Sequence, residues 1–164
     1  MSEPTVIDKN KATIDFIATY PGIATSPIFV NFVNARNDDV QFLTDSNDKS
    51  LDRKFVDGSV MKRYTFSLVI TKTITDMAIA KDILTNENID DIADIQKFMD
   101  WVNEQGENQV YPNFGTDCVI DEMATVAENP SLDGINTESS PAMALYGIEI
   151  RIDYIDYSKI IYNK

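Results

Sequence analysis

The chain has 164 residues, 43% of them hydrophobic and 25% charged, which is typical of one globular domain around a single core. It contains no histidine and one cysteine, Cys118, so we expect no histidine-based catalytic triad, no internal disulfide and no cysteine-rich zinc site. The formal net charge of -13 argues against a protein that grips nucleic acid, because phosphate binding depends on clustered lysine and arginine.

The negative charge is concentrated in the second half of the chain. Residues 1–75 carry nine acids and nine bases, whereas residues 76–156 carry eighteen acids and three bases. The simpler interpretation is a solvated surface that keeps the protein in solution. The functional interpretation is an acidic wall that repels another polyanion.

The N-terminus Met1–Thr5 has neither the basic start nor the apolar stretch of a signal peptide. No apolar stretch reaches the roughly 20 residues of a membrane helix. We therefore expect synthesis in the cytoplasm, which suits a lone thiol, and no membrane partner.

The first third of the chain predicts one helix and two short strands. Apolar residues recur at helical spacing over residues 5–19, and Pro21-Gly22 ends that pattern. β-branched and aromatic residues predict strands over residues 28–33 and 40–43. The polar residues 44–50 predict a loop.

Residues 51–71 predict a β-hairpin. Its arms flank Asp57-Gly58, a pair that favours a two-residue turn in which both residues have positive φ. Side chains alternate along the second arm, so we expect one face of that strand to be buried. The face expected to be buried carries Val60, Tyr64, Phe66, Leu68 and Ile70, with Lys62 as the exception.

The second half of the chain predicts a helix from Asp90 to Gln105, because apolar residues recur there at spacings of three and four. Gly106 suits the position just after that helix. Strands are predicted over residues 118–127 and 143–157, the second with clean alternation. In the first, Cys118, Ile120, Ala124 and Val126 are expected on one face, and Val119 and Met123 on the other. Residues 128–141 between them predict a long polar connection.

Together these elements predict an α+β fold, with helices packed on one face of an antiparallel or mixed sheet of four or five strands. Residues 74–85 add at most a short helical turn. The chain has no internal repeat and no linker, so we expect residues 1–164 to form a single domain.

The side chains that carry chemistry do not form a recognisable catalytic or metal-binding pattern. Asp90 and Asp94 are four residues apart on the predicted helix, but no ordered set of oxygen ligands accompanies them. Acids at a helix start are explained more simply by the helix dipole. Cys118 lies in an apolar stretch near acids, where a packed, unreactive thiol is expected. We therefore expect no cofactor, no metal and no enzymatic activity.

Four segments of the chain carry a resemblance when they are taken in order. They are Val30-Asn31-Phe32, Phe55-Val56-Asp57-Gly58-Ser59 with Lys62 and Tyr64-x-Phe66, Phe98-Met99-Asp100-Trp101-Val102-Asn103-Glu104-Gln105, and Tyr146-x-Ile148-x-Ile150-x-Ile152-x-Tyr154. They resemble the first strand, central hairpin, following helix and C-terminal strand of a family of small neck and tail proteins of bacteriophages. These are the minor capsid or head–tail joining proteins of tailed phages of Gram-positive bacteria.

The resemblance implies a tail terminator or a closely related tail-completion protein. Such proteins form a hexameric ring that caps the tail tube and receives the head, with no cofactor and no catalytic residue. It also implies assembly in the bacterial cytoplasm and final localisation in the virion. The implied partners are other copies of the chain, the tail tube protein, a head-completion or connector protein, and double-stranded DNA in transit. Residues 128–141 exceed the corresponding turn of the family.

The candidate functional residues belong to two sets. The acids expected to line a channel or contact a partner are Asp90, Asp91, Asp94, Glu128, Asp133 and Glu138; the residues expected at a hairpin interface are Asp57, Gly58, Lys62 and Arg63. Two alternatives stay open: a tail tube or other tail structural protein, and a small acidic DNA mimic or host-protein inhibitor.

Overall fold

The computed structural model describes residues 6–22, 28–30, 40–44, 49–74, 86–136 and 142–158. These residues contain two helices and one seven-stranded sheet. The helices are α1 (Val6–Ile17) and α2 (Asn86–Glu107), and the strands are β1 (Ile28–Val30), β2 (Val40–Thr44), β3 (Lys49–Lys54), β4 (Val60–Ile74), β5 (Cys118–Thr125), β6 (Ser131–Asn136) and β7 (Ala142–Asp156).

Two long strands form the centre of the sheet. β4 and β7 each have 15 residues and pair antiparallel along their whole length, from Val60 opposite Asp156 to Ile74 opposite Ala142. β2 and β3 both pair with the other side of β4, whereas β5 and β6 both pair with the other side of β7. β1 joins β2 in the parallel direction. The predicted α+β fold with a mixed sheet is confirmed. The sheet has seven strands where four or five were expected, and β6 is the strand that the sequence did not predict.

Both helices pack on the same face of the sheet. The alternation predicted for β4 and β7 is confirmed over residues 64–70 and 142–154, where every second residue joins the hydrophobic core. Val60, also predicted on the buried face, is half-buried and lies outside this core. α1 meets α2 through aromatic rings: Phe16 stacks on Trp101 at 5.3 Å between centroids, and Tyr20 contacts Phe98 at 5.2 Å. The core residues on the central strands are Tyr64, Phe66, Leu68, Ile70, Ala142, Ala144, Tyr146, Ile148, Ile150, Ile152 and Tyr154.

The β3–β4 hairpin is confirmed, but the prediction of a two-residue turn is wrong. Phe55 N–H donates to the Ser59 carbonyl (2.9 Å), and Gly58 N–H donates to the Phe55 carbonyl (3.0 Å). Three residues therefore lie in the loop. Gly58 has a φ of 92°, whereas Asp57 does not have a positive φ. Glycine in the left-handed conformation at the end of a three-residue loop is a common hairpin connection.

α2 is longer than predicted at both ends, because Gly106 lies inside the helix and does not end it. A Cβ on Gly106 would lie 2.1 Å from the carbonyl oxygen of Met123 in β5, so this glycine lets the helix approach the sheet closely. The helix terminates at Gln109, which has a φ of 58° and donates its N–H to the Gly106 carbonyl (3.2 Å). Val110 N–H donates to the Gln105 carbonyl (2.9 Å), which completes a Schellman motif.

The prediction of a polar connection over residues 128–141 is wrong, because β6 lies within it and pairs with β7. Leu132 and Ile135 are three residues apart, a spacing that places side chains on opposite faces of a regular strand. A bulge between Leu132 and Gly134 brings both apolar side chains to one face. The alternation that would have revealed this strand is therefore absent from the sequence.

A second bulge, in β5, makes the predicted faces of this strand wrong after Ile120. The register shifts between Ile120 and Glu122, so Met123 joins Cys118 and Ile120 on the core side of the sheet. The sequence had placed Met123 on the opposite face. Met123 is 4% exposed and lies opposite Ile152 of β7.

The predicted loop over residues 44–50 is wrong at its ends, because Thr44 belongs to β2 and Lys49 and Ser50 belong to β3. Other predictions lie outside the described residues. These are the strand at 31–33, the loop at 45–48, the helical turn at 75–85 and the candidate acid Glu138.

Candidate functional site

The described residues do not bring a set of metal-binding side chains together. Within those ranges, no group of three or more cysteine or carboxylate side chains is placed to hold a metal ion. An open groove of about 510 Å³ lies between α1 and the segment after α2. Its charged residues, Lys11 and Asp15, pair with each other at 2.7 Å.

The predicted acids on α2 lie near its beginning. Asp90 and Asp94 are exposed, and Asp91 is half-buried. Burial raises the pKa of Tyr146 on β7, and the Asp91 carboxylate raises it further. Burial also raises the pKa of Tyr20, with a further contribution from Asp94. Asp91 therefore lies near Tyr146, in the first third of β7.

The predicted acid Asp133 lies in β6, which pairs with β7, and Glu128 lies just before β6. Both side chains are exposed. The Asp133 carboxylate lies against Gly147, where a Cβ would be 2.2 Å from Asp133 Oδ2. Ser131 Oγ donates to Asp133 Oδ1 at 2.7 Å. Gly147 is thus the residue that makes room for this carboxylate.

The structure brings the helix acids and the strand acids toward the same end of the sheet. Tyr146, the residue near Asp91, lies directly opposite Leu132 of β6. Asp133 follows Leu132 in the same strand. The helix acids and Asp133 nevertheless lie on opposite faces of the sheet. Tyr146 faces the helices, whereas the Asp133 carboxylate lies against the next residue, Gly147, on the other face.

The predicted interface bases Lys62 and Arg63 form ion pairs inside the sheet. Lys62 Nζ lies 2.8 Å from Asp156 Oδ2. Arg63 Nε lies 2.8 Å from Asp153 Oδ1, and the Asp153 hydrogen bond raises the pKa of the guanidinium. Both bases fasten the hairpin to β7, a contact that sequence reasoning missed because it depends on the strand register.

The exposed end of the hairpin lies beyond these pairs. Val56 is fully exposed and Phe55 is 43% exposed, which is unusual for apolar side chains at a tight turn. Asp57 Oδ1 accepts hydrogen bonds from the Ser59 hydroxyl (2.6 Å) and N–H (2.9 Å), and these bonds hold the pKa of the Asp57 carboxyl below its usual range. Asp57 and Gly58 therefore shape the turn, and the side chains that reach solvent are their neighbours.

The sequence matches no protein-family model and no curated protein. Neither α1 nor α2 is long and apolar enough to cross a membrane. The resemblance to phage neck and tail proteins therefore stays a prediction.

Proposed function

We propose that this protein is a structural component of a phage virion, a tail terminator whose hexameric ring caps the tail tube at the head–tail junction. The observation that carries this proposal is the distribution of charge. Asp90, Asp94, Glu128 and Asp133 are all exposed toward one end of the sheet. Lys62, Arg63 and Arg151 form ion pairs within the sheet nearer its hairpin end. Lys72 is a base near Tyr146 at the acidic end, where its charge lowers the pKa of the tyrosine.

Such a surface suits a passage for double-stranded DNA. A basic wall would bind phosphates, release their counterions and hold the duplex in place. Exposed carboxylates repel the duplex and let it slide. The ring proposed here therefore places at least part of the acidic surface toward its channel.

The sheet also suits a rigid ring subunit. β4 and β7 pair over 15 residues each, and two ion pairs join them at the hairpin end. The helices cover one face of this sheet with an aromatic core. A subunit that carries load between a tail tube and a head needs this kind of continuous, well-packed body.

The test is the assembly state of the purified chain, alone and with tail tubes of the phage that encodes it. Mass photometry and negative-stain microscopy should show rings of six subunits that bind one end of the tube. Monomers or dimers under both conditions would favour the acidic inhibitor, and long polymers would favour a tail tube protein. Mass spectrometry of purified virions should find the protein in the tail or neck.

A further inference from the structure

The hairpin tip, defined as Arg53, Lys54, Phe55 and Val56, presents apolar side chains beside positive charge. Val56 is fully exposed, and Phe55 is 43% exposed. Arg53 and Lys54 are also exposed. Two bases therefore lie beside two exposed apolar residues at the tip, and the exposed Asp57 in the same loop accepts hydrogen bonds from Ser59.

The backbone holds the tip in one conformation. Phe55 N–H donates to the Ser59 carbonyl, Gly58 N–H donates to the Phe55 carbonyl, and the Asp57 carboxylate accepts two bonds from Ser59. A pre-ordered loop loses little conformational entropy when it binds. The tip is therefore suited to docking as a rigid protrusion.

The β6 edge, defined as Glu128, Leu132, Asp133 and Ile135, has the complementary character. Leu132 is 56% exposed and Ile135 is 53% exposed, and the bulge at Asp133 turns both to one face. Glu128 and Asp133 are exposed along the same edge, with the Asp133 carboxylate on the other face of the strand, against Gly147. Among the described strands β6 pairs only with β7, and no other described strand pairs with its second edge.

The hairpin tip and the β6 edge lie at opposite corners of the sheet. The tip joins β4 at Val60, opposite Asp156, whereas β6 flanks the far end of β7 around Ala144. Twelve residue steps at about 3.3 Å each separate these levels, which is roughly 40 Å. β3 and β6 also lie on opposite sides of the central strand pair. The two surfaces therefore do not meet within one copy.

We propose that the hairpin tip of one copy docks on the β6 edge of the next copy, an inference that rests on the ring proposed above. Phe55 and Val56 cover Leu132 and Ile135, while the two bases of the tip face the two acids of the edge. Because the two surfaces differ, the contact is heterologous, and every copy uses one tip and one edge. Such a contact closes into a ring when the rotation between neighbours is right.

The first experiment changes each surface separately in the full chain. Val56→Asp removes the apolar tip, and Ile135→Asp removes the apolar edge. Each variant should weaken ring formation about 30-fold or more, as expected for a central apolar contact, and leave monomers in mass photometry. Val119→Asp is the matched control, because Val119 is 52% exposed on β5, outside both surfaces. Circular dichroism should show unchanged folding in all three.

The second experiment mixes the two defective variants. The Ile135→Asp chain keeps an intact tip, and the Val56→Asp chain keeps an intact edge, so an equimolar mixture should form dimers that grow no further. A contact between two tips or two edges would give no such dimer from this pair. Monomers alone in the mixture would overturn the heterologous contact.

A charge exchange tests the same contact without changing apolar residues. Arg53→Glu with Lys54→Glu should abolish rings, and so should Glu128→Lys with Asp133→Lys. All four changes in one chain should restore rings, because opposite charges face each other again. If every variant still forms rings like those of the wild type, the proposed contact is wrong, whereas the proposal of a tail terminator is unaffected. A wild-type chain that stays monomeric, alone and on tail tubes, would overturn both proposals.

Discussion

Arg63 of β4 and Asp153 of β7 lie directly opposite each other and share two hydrogen bonds, Nε to Oδ1 at 2.8 Å and Nη2 to Oδ2 at 3.1 Å. The Asp153 side chain is 7% exposed, whereas that of Arg63 is 37% exposed. Arg151 Nε lies 3.8 Å from Asp153 Oδ2, and Arg151 Nη2 lies 3.1 Å from Glu122 Oε1. A row of alternating charge thus crosses β4, β7 and β5 on the face away from the helices.

Removing the carboxylate at the centre of this row should destabilise the fold. Asp153→Ala leaves the Arg63 guanidinium beside a buried position without its partner. Breaking a buried ion pair costs about 3–5 kcal/mol, and solvent access to Arg63 should reduce the loss to about 2 kcal/mol. Urea denaturation measures this change. Asp15→Ala is the control, because it breaks the exposed pair with Lys11 and should leave the denaturation midpoint unchanged.

Gly106→Ala should also destabilise the protein, although alanine favours helices over glycine by about 1 kcal/mol. The new Cβ would lie 2.1 Å from the Met123 carbonyl oxygen, so α2 must move away from β5. We expect a net loss of about 2 kcal/mol or more in urea denaturation. Gly134→Ala is the matched control, since a Cβ there has nothing within 4 Å. Equal stability of the two variants would contradict the close approach of α2 to β5.

The central strands and both helices could be predicted from the sequence, because the spacing of their apolar residues matches the side chains that the fold buries. Every second residue of β7 from Tyr146 to Tyr154 is buried, as the alternation indicated. Lys62 broke the same pattern in β4, and the structure explains the exception: its ammonium group reaches Asp156 at the end of the sheet. A charged residue on the apolar face of a strand thus indicated an ion-pair partner nearby.

Features that depend on register or on a bulge could not be predicted. Leu132 and Ile135 share a face only because Asp133 is bulged, and Met123 is buried only because β5 shifts after Ile120. The partner of Arg63 is 90 residues away, and no local pattern identifies it. For the candidate site, Asp90, Asp94, Glu128 and Asp133 are exposed, Asp91 is half-buried, and Glu138 lies outside the described residues. The position of Glu128 and Asp133 at the same end of the sheet as the helix acids depends on the pairing of β6 with β7.

Ser59→Ala should raise the pKa of Asp57, because the Ser59 hydroxyl is the main donor that holds it below its usual range. A carboxyl whose pKa is lower in the folded protein stabilises the fold above its unfolded pKa, and the effect disappears as the pH falls through the folded pKa. The variant should therefore be less stable than wild type at neutral pH, and the difference should shrink below about pH 4. Carboxyl titration by NMR, with denaturation at several pH values, measures both effects. A difference that persists at the lowest pH would contradict this origin.

Reversing the charge of the exposed acids should change a surface that repels DNA into one that binds it. A chain with Asp90→Lys, Asp94→Lys and Glu128→Lys should bind double-stranded DNA on the order of tenfold more tightly at low salt, and added salt should abolish the gain. Virions that carry this variant should eject DNA more slowly, because lysines along the channel bind phosphates.

The control has the same net charge, with Asp100→Lys, Glu104→Lys and Glu107→Lys placed at exposed positions in the second half of α2. Equal ejection rates for wild type and the first variant would argue against an acidic channel wall, whereas slowing by the control alone would move the channel to the other end of α2.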